Sequence, residues 1–110
     1  MNLEITHKSL DNKEFVSVTG EIDAYTAPKL REALTPLAQQ ENKRIVVEMS
    51  NVQYIDSTGL GIFVGILKLA DANGGSLVLT GVTDRVYRLF AITGLDEVIE
   101  IEQSEGEEAK

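Results

Sequence analysis

The chain contains no cysteine. That excludes a disulfide framework, a thiolate zinc site and a cysteine nucleophile, and it suits a reducing compartment. Histidine is limited to His7, which sits in an alternating, strand-like segment and reads as a strand residue. With no G-x-S-x-G elbow to anchor it, a Ser-His hydrolase has little to be built from, and no G-x-x-x-x-G-K-[ST] phosphate loop is present either. Long apolar runs are also missing. The longest one free of charge, Ser57 to Leu67, falls far short of the about 20 residues a bilayer-crossing helix needs. The opening MNLEITHKSL lacks the basic start and apolar block of a signal peptide, which predicts a chain that stays in the cytoplasm and off the membrane. Positive charge is scarce: ten Lys and Arg against 18 Asp and Glu leave a net charge of -8, so no basic field exists to displace counterions from nucleic acid.

What is present fits one soluble globular domain of 110 residues, with 43% hydrophobic and 25% charged residues around a single core. The acid is unevenly spread: seven of the carboxylates follow Leu95. Residues 1–101 are therefore expected to form the domain and residues 102–110 an acidic, disordered tail with nothing to bury.

Periodicity gives the fold class. Leu3 and Ile5 alternate with polar residues, Asp11-Asn12 supplies a turn, and Val16 and Val18 alternate until Gly20 ends the run, which together predict a β-hairpin. From Thr26 the spacing becomes helical through Leu30, Leu34 and Leu37, with Thr26 as the cap and Pro28 in the first turn. Pro36 predicts a kink or an early end near Glu32 to Thr35. Arg44 to Met49 reads as a central strand covered on both faces, followed by a loop through Val52, Tyr54 and Ile55. A helix from Asp56-Ser57-Thr58 to about Ala72 stops at Asn73-Gly74-Gly75. SLVLT at Ser76 to Thr80 is a strand, Thr83 caps a third helix that ends at Gly94-Leu95, and a short VIEI strand closes the order ββαβαβαβ. The fold class is α/β, a mixed sheet of about five strands with helices packed on it.

The helix after Asp56 carries the most information. Leu60, Phe63, Val64 and Leu67 form one apolar stripe, and Ile62, Ile66 and Leu69 form another about half a turn away. One side packs on strands, and the other needs a neighbouring helix or a docking partner. At its start, DSTGLG places two hydroxyls and two glycines where unpaired amides favour an anion. Two accounts stand side by side: Asp56 or Ser57 caps the helix while the glycines allow close packing, or Ser57 accepts a phosphate. Gly59, Gly61 and Gly65 read G-x-G-x-x-x-G, one residue longer than the dinucleotide fingerprint, and so are a weak nucleotide signal. Asp23 and Asp56 as an acid/base or metal pair have little behind them, and Arg85 and Arg88, one turn apart, read as a solvated face. No cofactor is called for.

Taken together, GEIDAYTAPKLREAL at Gly20–Leu34, YIDSTGLGIFVG at Tyr54–Gly65 and RLFAITGL at Arg88–Leu95 resemble the STAS family of anti-sigma factor antagonists. The resemblance covers almost the whole chain and is closest to members acting on the general stress sigma factor of Gram-positive bacteria. It implies the STAS fold and a regulatory rather than enzymatic role in partner switching. In the family, the unphosphorylated antagonist binds an anti-sigma factor that is also a serine kinase, which frees the sigma factor for transcription. Phosphorylation of the serine after the Asp of D-S-[ST]-G-L-G, here Ser57, ends that binding, and a PP2C-type phosphatase reverses it. Asp23 and Thr26 match the loop beside this serine. With Asp56, Thr58, Gly59, Leu60, Gly61 and Ile62 they are the partner-binding residues that the resemblance implies. Two other readings remain: a STAS scaffold subunit of another signalling or transport assembly, and a nucleotide-binding enzyme using Ser57 and the Gly59–Gly65 segment.

Overall fold

The computed structural model describes residues 2–103. Strands β1 (Leu3–Leu10) and β2 (Lys13–Ile22) form the antiparallel hairpin, and β3 (Arg44–Ile55), β4 (Ser76–Val82) and β5 (Glu100–Gln103) follow in parallel. The connections are helices α1 (Ala27–Ala38), α2 (Ser57–Ala72) and α3 (Asp84–Ile92), the last trailed by a 3₁₀ turn at Leu95–Glu97. The five strands lie in sequence order across one mixed sheet, with β3 in the middle. Each parallel step moves the same way, and such crossovers are right-handed, so all three helices stack on one face of the sheet. Phe63 of α2 and Phe90 of α3 meet in that layer, their ring centroids 6.2 Å apart.

One covered face corrects the expectation of a strand buried on both sides. In β3, Ile45, Val47 and Met49 are buried against the helices, while Arg44, Val46 and Glu48 between them are only half-buried. On that open face Arg44 reaches across β4, donating to Ser76 Oγ at 3.2 Å and to both carboxylate oxygens of Glu100 on β5.

The strands also run further than alternation suggests. Gly20 does not end β2: at φ +125° it lets the backbone pass beside Asn2 and continue to Ile22. The segment through Val52, Tyr54 and Ile55 is not a loop but the second half of β3, paired with Thr19 to Ile22. Two register shifts there give β3 extra residues, so buried positions recur as Met49, Val52 and Ile55, every third residue. Helix α1 likewise runs through Pro36 to Ala38. The carbonyl that Pro36 leaves without a partner belongs to exposed Glu32, and the buried Leu37 and Ala38 hold the last turn on the core. The closing strand sits two residues later than VIEI and takes in Glu102 and Gln103 of the expected tail, whose remaining residues lie outside those described.

Other signals are met as written. Thr83 Oγ1 accepts from the Val86 amide at 3.3 Å, and Gly94 adopts the left-handed conformation ahead of Leu95. Among the described residues, no helix is long and apolar enough to cross a membrane.

Candidate functional site

Asp23, Ser57 and Asp84 all lie where a parallel strand hands over to a helix, at the carboxyl end of the sheet. This is the end where open α/β sheets present ligand and partner groups. Two of these handovers are tied together directly: the Asp56 amide donates to the Ile22 carbonyl at 3.1 Å, which brings the start of α2 against the end of β2 and the loop that follows it.

That loop, Asp23 to Thr26, is closed by its own side chains. Asp23 Oδ1 accepts from the amides of Tyr25 and Thr26 at 2.9 and 3.0 Å. The Thr26 hydroxyl donates to the Glu21 carbonyl at 2.8 Å and accepts from the Asp23 amide at 2.8 Å. Both side chains are buried, so Thr26 does not cap α1 with its hydroxyl, which is used inside the loop instead. Both side chains hold the loop closed, and the residues left facing outward are Ala24 and Tyr25. Nothing in the sequence pattern marks Tyr25, yet it is 89% exposed.

At the start of α2, Asp56 is the cap. Its Oδ1 accepts from the Thr58 amide at 3.0 Å and the Gly59 amide at 3.3 Å. This end of the helix therefore already carries an anion, which engages the Thr58 and Gly59 amides. Ser57 and Thr58 are exposed, and among the described residues the Ser57 hydroxyl has no hydrogen-bond partner. Gly59 and Leu60 turn the other way. Both are buried, Leu60 within the core and Gly59 against Ile22 and Ile55, so neither offers a side chain to a partner. Gly61 is exposed and Ile62 half-buried. Of the residues expected to meet a partner along this segment, Ser57, Thr58 and Gly61 are exposed and Asp56 and Ile62 half-buried.

Further along α2 the second apolar stripe is largely covered. Ile66 is buried, while Leu69 joins Ile62 as a half-buried residue packed on the core. Gly61, Ile62, Gly65, Ile66 and Leu69 line a shallow groove with Arg31 and Thr35 of α1. On the other side of the carboxyl end, Arg85 and Arg88 are exposed and line an open cleft with Ser50, Gln53, Thr83 and Asp84.

A second polar cluster, absent from the sequence reading, lies at the opposite end of the sheet. Glu14 is 1% exposed, and its Oε1 lies 2.5 Å from both His7 Nε2 and Ser9 Oγ. Its Oε2 is 3.5 Å from Lys43 Nζ, which also donates to the Asp11 carbonyl. Burial pushes the Glu14 carboxyl up, but the hydrogen bonds from Ser9, His7 and Lys43 outweigh it and hold the group below its ordinary value. The signal that could have found it was parity: Glu14 shares the inward face of β2 with Val16 and Val18. His7 is a strand residue, as expected, with this carboxylate as its partner.

Comparison with known proteins places these features in a family context. The family model described as STAS domain matches residues 5–108. An anti-sigma-B factor antagonist from Staphylococcus aureus is 47% identical over 103 residues, covering 94% of this chain and 95% of that protein. One from Listeria monocytogenes is 47% identical over 108 residues, covering 97% and 95%. Among solved structures, an anti-sigma factor antagonist from Mycobacterium paratuberculosis superposes with a TM-score of 0.82 at 26% identity, covering 92% of this chain and 86% of that one.

Proposed function

The chain belongs to the STAS domain family, and we propose that it works there as an anti-sigma factor antagonist switched by phosphorylation of Ser57. In this reading the unphosphorylated chain binds an anti-sigma factor that is also a serine kinase, and so releases the general stress sigma factor. The role is regulatory, not catalytic, and belongs in the cytoplasm with the polymerase. The 47% identity to anti-sigma-B factor antagonists supports the partner class. The observation that carries the site is the Ser57 hydroxyl: exposed and unbonded, beside a cap supplied by another residue.

The chemistry proposed is transfer of the ATP γ-phosphoryl group to Ser57 Oγ by the kinase. An O–P bond forms at Ser57, the bond to ADP breaks, and the hydroxyl proton leaves to a base on the kinase. A PP2C-type phosphatase returns the hydroxyl by hydrolysis. Phosphate adds roughly -1.5 to -2 charges beside Asp56 and the Asp23 loop. Moving a complex from 99:1 bound to 1:99 takes about 5.5 kcal/mol of differential binding. Enclosing a dianion in an interface shaped for a hydroxyl supplies energy of that order by desolvation and repulsion, with no refolding of α2.

Intact mass with site mapping, after incubation with ATP and the cognate anti-sigma kinase, tests the reading on wild type and Ser57→Ala. One phosphate on wild type and none on the variant is expected. Phosphate on Thr58 would move the site by one residue. No phosphate on either would return DSTGLG to a plain helix start and favour a scaffold role.

A further inference from the structure

Three tyrosines and three phenylalanines make up the aromatic content of the chain. Five of them have a structural use or partial shelter. Phe63 and Phe90 fill the core, the Tyr87 hydroxyl donates to Asp96 at 3.2 Å, and Phe15 and Tyr54 lie partly covered on strands. Tyr25 differs. It is 89% exposed, and its hydroxyl has no partner among the described residues. The backbone beneath it is the reverse, locked by the Asp23 carboxylate, the Thr26 hydroxyl and the bond from the Ala27 amide to the Asp23 carbonyl at 2.8 Å.

A single exposed apolar side chain needs no explanation by itself, and Ile92, 74% exposed at the far end of α3, is such a case. Two things separate Tyr25 from it. Its ring offers a large apolar face with only two torsions to fix, on a loop closed by its own hydrogen bonds, so much area is enclosed for little entropy lost. It also stands on the loop that the bond from Asp56 to Ile22 holds beside Ser57. An exposed ring on a rigid loop at the edge of a switch residue is how an interface presents an anchor.

We infer that Tyr25 is an anchor of the partner interface, its ring entering an apolar cleft on the protein that docks over Ser57 while its hydroxyl stays at the wet mouth of that cleft. The inference rests on the partner-switching reading and adds to it the kind of surface the partner must carry: a ring-sized apolar slot bordering the place that receives the Ser57 hydroxyl.

Calorimetric titration of the unphosphorylated full chain with the cognate anti-sigma kinase tests it, using wild type, Tyr25→Ala, Tyr25→Phe, Ile92→Ala and Ser57→Glu. Tyr25→Ala should weaken binding about 30-fold or more, the scale of a hot-spot anchor. Tyr25→Phe should stay within about 5-fold, because the ring is kept. Ile92→Ala should bind as wild type does, and all variants should keep the wild-type unfolding midpoint within a few degrees. Wild-type affinity in Tyr25→Ala, or an equal loss in Ile92→Ala, overturns the anchor. If Ser57→Glu abolishes binding while Tyr25→Ala retains it, the switch stands and the anchor falls; if wild type itself does not bind, both fall.

Discussion

Gly59 lies so close to Ile22 that a methyl group built on it would stand 2.5 Å from Ile22 Cγ2, and 2.7 Å from Ile55 Cγ1. Ile22 and Ile55 are fully buried and cannot yield. Gly59→Ala is therefore expected to destabilise by about 1–3 kcal/mol, overpacking outweighing the better helix propensity of alanine. Gly61 and Gly65, on the same helix, have nothing within reach of an added methyl. Alanine at either should stabilise by about 0.5–1 kcal/mol. Urea unfolding of the three variants checks the opposite signs.

Asp56 accepts two amides at the start of α2, and Asp56→Ala should cost about 0.5–2 kcal/mol. Asp56→Asn keeps an acceptor and should lose much less. Hydrogen exchange at Thr58 and Gly59 should accelerate in the alanine variant and not in the asparagine one; equal protection in both would mean the cap contributes nothing.

Glu14 sets an acid limit. A carboxyl whose folded pKa is lowered stabilises the native state above its unfolded pKa, about 4.3, and that contribution is lost as pH falls through the folded value. Glu14→Gln should be less stable than wild type by about 1.5–3 kcal/mol at pH 7, toward the lower figure because His7 and Lys43 are partly open to water. The gap should narrow as pH falls below the unfolded value and close once the folded carboxyl is protonated. A gap that stays constant from pH 7 to pH 3 would show that packing, not ionisation, is what Glu14 supplies.

Phosphate on Ser57 should leave the fold in place. The helix dipole favours it and the Asp56 carboxylate opposes it, so the net change in stability should stay within about 1 kcal/mol. Amide chemical shifts of the two forms should differ around residues 23–26 and 56–62 and agree elsewhere. Widespread shifts across the sheet would mean that the switch works by conformational change.

Much of this was legible locally. The Asp56 start of α2 and its stop at Asn73, the Thr83 cap and the left-handed Gly94 follow from side chains acting on amides a few residues away, so short segments specify them. The second half of β3 was hidden because its bulges replace the period of two with a period of three. The helix end that Pro36 predicts does not occur because burial of Leu37 and Ala38, which only the packed sheet reveals, outweighs the lost helix bond.

The same division holds at the site. The sequence by itself determined that Ser57 begins a helix, behind an acidic cap and ahead of two glycines, since those are relations between neighbours in the chain. Only the tertiary structure decided which of these residues face outward. Gly59 and Leu60 are turned into the core, Asp23 and Thr26 are consumed in closing a loop, and Tyr25 is left exposed on that loop, which follows the Ile22 carbonyl bonded to the start of α2. The reason is that exposure depends on which strand end each loop is bonded to, and the bond from Asp56 to Ile22 joins residues 34 positions apart, a distance over which no local pattern extends.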